Sequence, residues 1–209
     1  MDSRKITWIL FDLGNVLIEL RADGLDRAAA ALGSTPERLV ALFNEDGMAE
    51  RIAVGKLSPQ EFVEQINRRF GSSVTPADVV GWFGPDVAVV FPEAPGLIAS
   101  LKGRYSLGVL SNTFFGHWDY FIATDFARQF DALVASHLIG FCKPDPRAYR
   151  AALDRMGAAA AETVFVDDLA DNVQAARALG FRAFQSRTPG ELIEGLQRAG
   201  VVCYPISDF

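Results

Sequence analysis

Hydrophobic residues along the chain gather into short unbroken runs rather than alternating ones. Residues 7–11, 106–110 and 163–166 are apolar almost throughout, and 132–135 and 182–184 repeat the pattern more weakly. Runs of this length read as strands covered on both faces, which is how parallel sheets are built. Between the later runs, apolar positions recur at helical spacing over 95–102, 118–128, 146–156 and 172–179. Strand and helix in alternation predict right-handed βαβ crossovers, and with them an α/β fold on a doubly wound, Rossmann-like parallel sheet.

Residues 18–90 break this rhythm. They carry almost no strand signal, and three helix starts of one kind stand out: Thr35-Pro36, Ser58-Pro59 and Thr75-Pro76. A hydroxyl residue at the N-cap satisfies orphan amides, and proline at the first helical position fixes φ. Glu61, three residues after Ser58, completes a capping box, and Phe62, Ile66 and Phe70 then fall on one face. The segment is far longer than the ~12–15 residues at which structureless loops become uncommon. The expected organisation is therefore a core of residues 1–17 and 91–209 interrupted by a helical unit over 18–90.

The 209 residues are half hydrophobic and 22% charged, an ordinary globular balance, with a net charge of −6. That sign argues against nucleic acid or an anionic membrane as the main partner, since both select basic patches. An anionic substrate would need local positive charge from a lysine or a metal. The two cysteines, Cys142 and Cys203, match no metal-ligand spacing. A chain of this size does not depend on a disulfide scaffold, so a reducing cytoplasm is the expected location. The first residues lack a secretory pattern, and no run of about 18 apolar residues is free of charge.

Open parallel sheets bind ligands beyond the carboxyl ends of their strands, and here each clear strand runs into a polar group. The first leads into Asp12-Leu13-Gly14-Asn15, the second into Ser111-Asn112-Thr113, and the third into Asp167-Asp168, with Asp171-Asn172 opening the next helix. Taken singly, each has an ordinary explanation as a turn residue or a helix cap. Taken together on neighbouring strands, they bring three carboxylates, a hydroxyl and an amide to one edge. Such acids repel one another unless a cation joins them, and hard oxygen ligands select Mg²⁺. Lys143, in a proline-stiffened loop over 140–146, supplies a fixed positive charge.

With these motifs in this order, the sequence resembles the haloacid dehalogenase (HAD)-like hydrolase superfamily, in its phosphatase group with a small helical cap inserted after the first strand. The resemblance implies that Asp12 is a nucleophile that forms an aspartyl-phosphate. It implies that Ser111 and Asn112 contact the transferring phosphoryl group of a small phosphorylated metabolite, and that Lys143 bridges that group and Asp12. Mg²⁺ would be bound by Asp12, Asp168 and the carbonyl of Gly14, with Asp167 and Asn172 in support. Gly14 departs from the family pattern: most of these phosphatases carry there an aspartate acting as general acid and base, help typically worth about 10²–10⁴-fold. The Asp-Leu-Gly-Asn form resembles a subgroup that includes bacterial α-glucose-1-phosphate phosphatase, which suggests a sugar phosphate with a better leaving group. Glu19 and His117 are the nearest substitutes for the acid.

Two other readings stand beside this one. A 2-haloacid dehalogenase also uses an aspartate nucleophile, but it carries tyrosine where this chain has Gly14 and gains nothing from Asp167-Asp168. A non-catalytic protein that binds a phosphorylated metabolite would have no use for a nucleophile. Selectivity is expected to sit in the helical unit, where Arg51, Lys56, Trp82 and Phe83 are found. Cys142, beside Lys143, is a candidate for oxidation sensitivity. Residues 201–205 fit either an edge strand or a docking tail, and the number of subunits is left open.

Overall fold

A computed structural model describes residues 5–21, 23–84 and 88–203. In chain order the strands are β1 (Trp8–Phe11), β2 (Ile18–Leu20), β3 (Ala88–Val90), β4 (Ser106–Ser111), β5 (Ala132–Ala135), β6 (Thr163–Asp167) and β7 (Arg182–Gln185). The helices are α1 (Asp23–Ala31), α2 (Pro36–Asn44), α3 (Met48–Ala53), α4 (Pro59–Phe70), α5 (Pro76–Trp82), α6 (Ala94–Leu101), α7 (Phe115–Ile122), α8 (Ser136–Ile139), α9 (Pro146–Met156), α10 (Ala170–Ala178) and α11 (Pro189–Arg198).

Five strands form one sheet in the order β5-β4-β1-β6-β7, and every pairing in it is parallel. Side chains alternate between its faces, as the pleat requires. Ile9, Phe11, Val109 and Val166 enter one core with Leu97, Ile98 and Leu101 of α6, Trp118 and Phe121 of α7, and Leu196 of α11. Leu10, Leu110 and Phe165 enter the other with Tyr149 and Met156 of α9 and Ala176 of α10. Helices therefore cover both faces, which is why all three central strands could be apolar without interruption. β1 lies in the middle, so its carboxyl end is flanked by those of β4 and β6.

A third core belongs to the segment between β2 and β3. Leu39, Ile52, Phe62, Ile66 and Val79 pack there with Phe83, and Phe115 from α7 joins them. The three Thr/Ser-Pro starts are the N-caps of α2, α4 and α5, and in each the side-chain oxygen accepts a backbone N–H three residues on. Thr75 and Asp78 form a second capping box beside that of Ser58 and Glu61.

Two expectations need correction. The segment over 18–90 is not helical to its ends, because β2 and β3 pair antiparallel, with Ile18 opposite Val90 and Leu20 opposite Ala88. The helix expected over 118–128 begins earlier and stops sooner, at Phe115 and Ile122, and a 3₁₀ turn at Ala127–Gln129 follows. Of the carboxyl-terminal stretch, 201–203 forms no strand: Val201 is buried in the first core, and the Val202 N–H donates to the Tyr105 hydroxyl. Residues 204 and 205 lie outside the described residues.

Candidate active site

Register brings the polar strand ends together. Phe11 sits opposite Val109 and Val166, so Asp12, Ser111 and Asp167 emerge on the same edge. The Asp12 N–H donates to the Val166 carbonyl at 2.8 Å, which holds the residue in line with the sheet. Next comes a tight turn: Asn15 takes a left-handed backbone (φ 56°) and donates its N–H to the Ile18 carbonyl. Asparagine tolerates that conformation better than most residues.

Lys143 is the hub of the site. It is buried, and its ammonium lies 2.7 Å from both Asp12 Oδ1 and Asp167 Oδ2. Its backbone is clamped by Asn112, whose side-chain nitrogen donates to the Lys143 carbonyl at 2.8 Å and whose side-chain oxygen accepts the Lys143 N–H at 2.7 Å. The other oxygen of Asp167 accepts the Leu169 N–H and the Asn172 side-chain amide, each at 2.9 Å. Buried polar groups are thus satisfied around the pair, the condition under which such charges are tolerated.

Burial pushes the Asp12 carboxyl up to about 6; the Lys143 ammonium opposes this and the Asp167 carboxylate adds to it. Burial also draws Lys143 down, but the two carboxylates more than offset that and leave it above its ordinary value. At neutral pH Asp12 is therefore an anion facing a cation.

The cavity above Asp12 has a volume of about 250 Å³ and reaches Ser111, Asn112, Lys143, Asp168 and Asn172. Every site residue expected from the sequence is in this neighbourhood; Asp167 lies beneath it, fully buried. Three differ from expectation in what their side chains do. The Asn112 amide, expected on the phosphoryl group, is occupied at both ends by Lys143. Glu19 points away from the cavity that its neighbours Ile18 and Leu20 line, and it is paired with Arg21. His117 lines the cavity, but it sits edge-on to Phe83 and Phe114, and burial lowers it to about 4, so it is neutral where an acid is needed.

Arg51, Lys56, Trp82 and Phe83 do not line this cavity. Arg51 opens onto a separate one with Glu45 and Arg68, and Phe83 is buried in the core of the helical unit. Burial pushes the Cys142 thiol up and it donates to the Ala53 carbonyl at 3.6 Å, so it is held protonated rather than as a reactive thiolate. Sequence reasoning assigned no role to Asn15, whose side chain donates to Asp168 Oδ2 at 3.2 Å, or to Gln185, which donates to the Asp168 carbonyl at 2.7 Å. For Asn15 a signal was present, an asparagine in the turn directly after Asp12. For Gln185, at the end of a weak edge strand, there was none.

A carboxylate oxygen from each of Asp12, Asp167 and Asp168 can come within 4.8 Å of the other two. All are hard oxygen donors, which suits a divalent cation such as Mg²⁺. Asp167 is already bonded through both oxygens, whereas the Asp168 carboxylate accepts the Asn15 amide and lines the cavity.

The family model for haloacid dehalogenase-like hydrolases matches residues 6–180. The chain belongs to that family and is a hydrolase of the HAD type. It is 27% identical over 205 residues to acyl-CoA dehydrogenase family member 10 of Mus musculus, with 93% of the chain aligned to 19% of that protein, so it spans about a fifth of that relative's length. It is 26% identical over 186 residues to a D-ribitol-5-phosphate phosphatase of Bacteroides thetaiotaomicron, covering 85% of this chain and 90% of the relative. A HAD family enzyme of the same organism, solved with magnesium and inorganic phosphate, superposes with a TM-score of 0.75 at 24% identity, over 88% of this chain and 96% of that one.

Proposed function

We propose that the protein is a metal-dependent phosphatase that hydrolyses a small phosphate monoester through an aspartyl-phosphate on Asp12. The observation that carries this reading is the buried ammonium of Lys143, 2.7 Å from Asp12 Oδ1, beside the open carboxylate of Asp168. Kinship to a D-ribitol-5-phosphate phosphatase supports the same reaction class.

In this reading Asp12, Asp168 and the Gly14 carbonyl would hold Mg²⁺. When bound, Mg²⁺ supplies positive charge to the phosphoryl oxygens. Asp12 attacks phosphorus with the oxygen that Lys143 does not hold. Ser111 donates to the phosphoryl oxygens, and Lys143 neutralises the charge that gathers between nucleophile and phosphoryl group. Asp167 and Asn172 keep Lys143 aimed, and Asn112 fixes its backbone. Carboxylates crowded around the nucleophile call for a cation, which a phosphoryl group can use and a departing halide does not need.

The test is phosphate release from a panel of monoesters by wild type and Asp12→Asn, with Mg²⁺ and with chelator. Release should need both Asp12 and the metal. Undiminished release by Asp12→Asn, or none from any ester by wild type, would sink the reading.

A further inference from the structure

The rest of the cavity lining is unlike the phosphoryl side. It comes from Leu13, from Ile18 and Leu20 of β2, from Leu169 and from the neutral His117, with the uncharged Asn15 and Thr113 as its polar members. Leu20 and Leu169 are 43% and 55% exposed, large apolar side chains standing at the mouth of a polar site. Among the described residues that line the cavity, Lys143 is the one cation, and two carboxylates already hold it. A second phosphate or a carboxylate on the leaving group would find no counter-charge here.

Nor does this side offer a proton. Residue 14 is glycine, and a methyl of Leu20 lies 2.7 Å from where a Cβ at this position would stand. A side chain at this position would meet leucine first, and Leu20 would have to turn aside to admit an acid. Glu19 is turned outward to Arg21, and His117 packs edge-on against two phenylalanine rings, each centred 4.9 Å away.

We propose that the site is built for aryl phosphates, monoesters whose leaving group is apolar, uncharged and weakly basic enough to depart without a proton from the protein. This rests on the phosphatase reading and names its substrate class. The bond from Asp12 Oδ to phosphorus forms as the bond from phosphorus to the aryl oxygen breaks. The electron pair leaves on that oxygen, which the ring stabilises and solvent later protonates. Water then adds to phosphorus, and the bond to Asp12 breaks with its pair returning to the carboxylate. One water proton stays on the phosphate and the other passes to solvent. Ile18, Leu20 and Leu169 give the ring an apolar wall.

The experiment is kcat/KM with Mg²⁺ for phenyl phosphates of graded phenol acidity, alkyl phosphates and glucose 1-phosphate, on wild type and on Gly14→Asp/Leu20→Ala. For wild type, kcat/KM should fall steeply as the leaving group becomes more basic. Alkyl and sugar phosphates should lie about 10²–10⁴-fold below aryl ones, the range a missing general acid accounts for. The double variant, with an acid and room for it, should flatten that dependence and gain most on alkyl phosphates. A flat dependence in wild type, or glucose 1-phosphate turned over better than phenyl phosphate, overturns the assignment, and the wild-type series decides this even if the variant does not fold. Absence of phosphate from every ester is a different failure, that of the phosphatase reading itself.

Discussion

Lys143 shows how one residue can be at once a hazard to the fold and the centre of its chemistry. Its ammonium is desolvated, and so are the two carboxylates that hold it. Removing one partner of a buried ion pair strands the others, at a cost of about 3–5 kcal/mol. Lys143→Met should therefore lose roughly that much stability at pH 7 in urea unfolding, together with phosphatase activity. The loss should shrink at pH 5. Asp12 sits at about 6 with the ammonium present and rises further without it. A carboxyl whose folded value lies above its unfolded one favours the fold increasingly as pH falls through the folded value. A loss of equal size at both pH values would mean that Lys143 acts through shape rather than charge. That this lysine mattered was legible from a rigid loop and an acidic strand edge. That Asn112 would be its clamp was not, because the partners are 31 residues apart and neither sequence context names the other.

At the scale of elements, the helical segment was read most accurately where side chains, not packing, set the boundary. Ser58 caps α4 with its oxygen on the Glu61 N–H while the Glu61 carboxylate returns to the Ser58 N–H at 2.9 Å. Ser58→Ala should cost about 1 kcal/mol and speed hydrogen exchange in the first turn of α4, whereas Ser58→Thr should leave both nearly unchanged. Equal exchange in wild type and Ser58→Ala would mean that packing of Phe62 and Ile66 alone holds that end. Where no such signature exists, sequence reasoning drifted. α7 begins after Phe114 with no side-chain cap, so nothing local marks its start, and its buried face is set by two cores at once. β2 and β3 have three residues each, too few for a period to register, and they exist because they pair with each other. The three central sheet strands were legible because burial on both faces leaves them almost wholly apolar, whereas edge strand β7, half-buried and carrying Arg182 and Gln185, gave only a weak pattern.

For the molecule as a whole, the seam between the helical segment and the sheet layer runs beside the site, through Cys142 next to Lys143. At Gly55 the backbone is left-handed (φ 67°), and an added Cβ would run into the His137 carbonyl of α8. The Cys142 thiol crosses the same seam to the Ala53 carbonyl. Gly55→Ala should therefore lift α3 away from α8, raise KM, and speed exchange over 48–57 and 136–143, while the sheet strands stay protected. Unaltered exchange at both stretches would show that the seam has slack.

The short ladder of β2 and β3 has a consequence for how such a molecule could be remodelled. The chain leaves the sheet layer at Leu20 and returns to it at Ala88, and these two residues are direct partners. Antiparallel partners can be joined by a two-residue hairpin. Everything from α1 to α5 is thus a detour with a single doorway, which a tight turn could replace without rerouting any strand of the larger sheet. Grafts at that doorway, whether a shorter hairpin or a foreign helical module, would exchange the helical unit and leave the arrangement of Asp12, Lys143 and Asp168 to the rest of the chain.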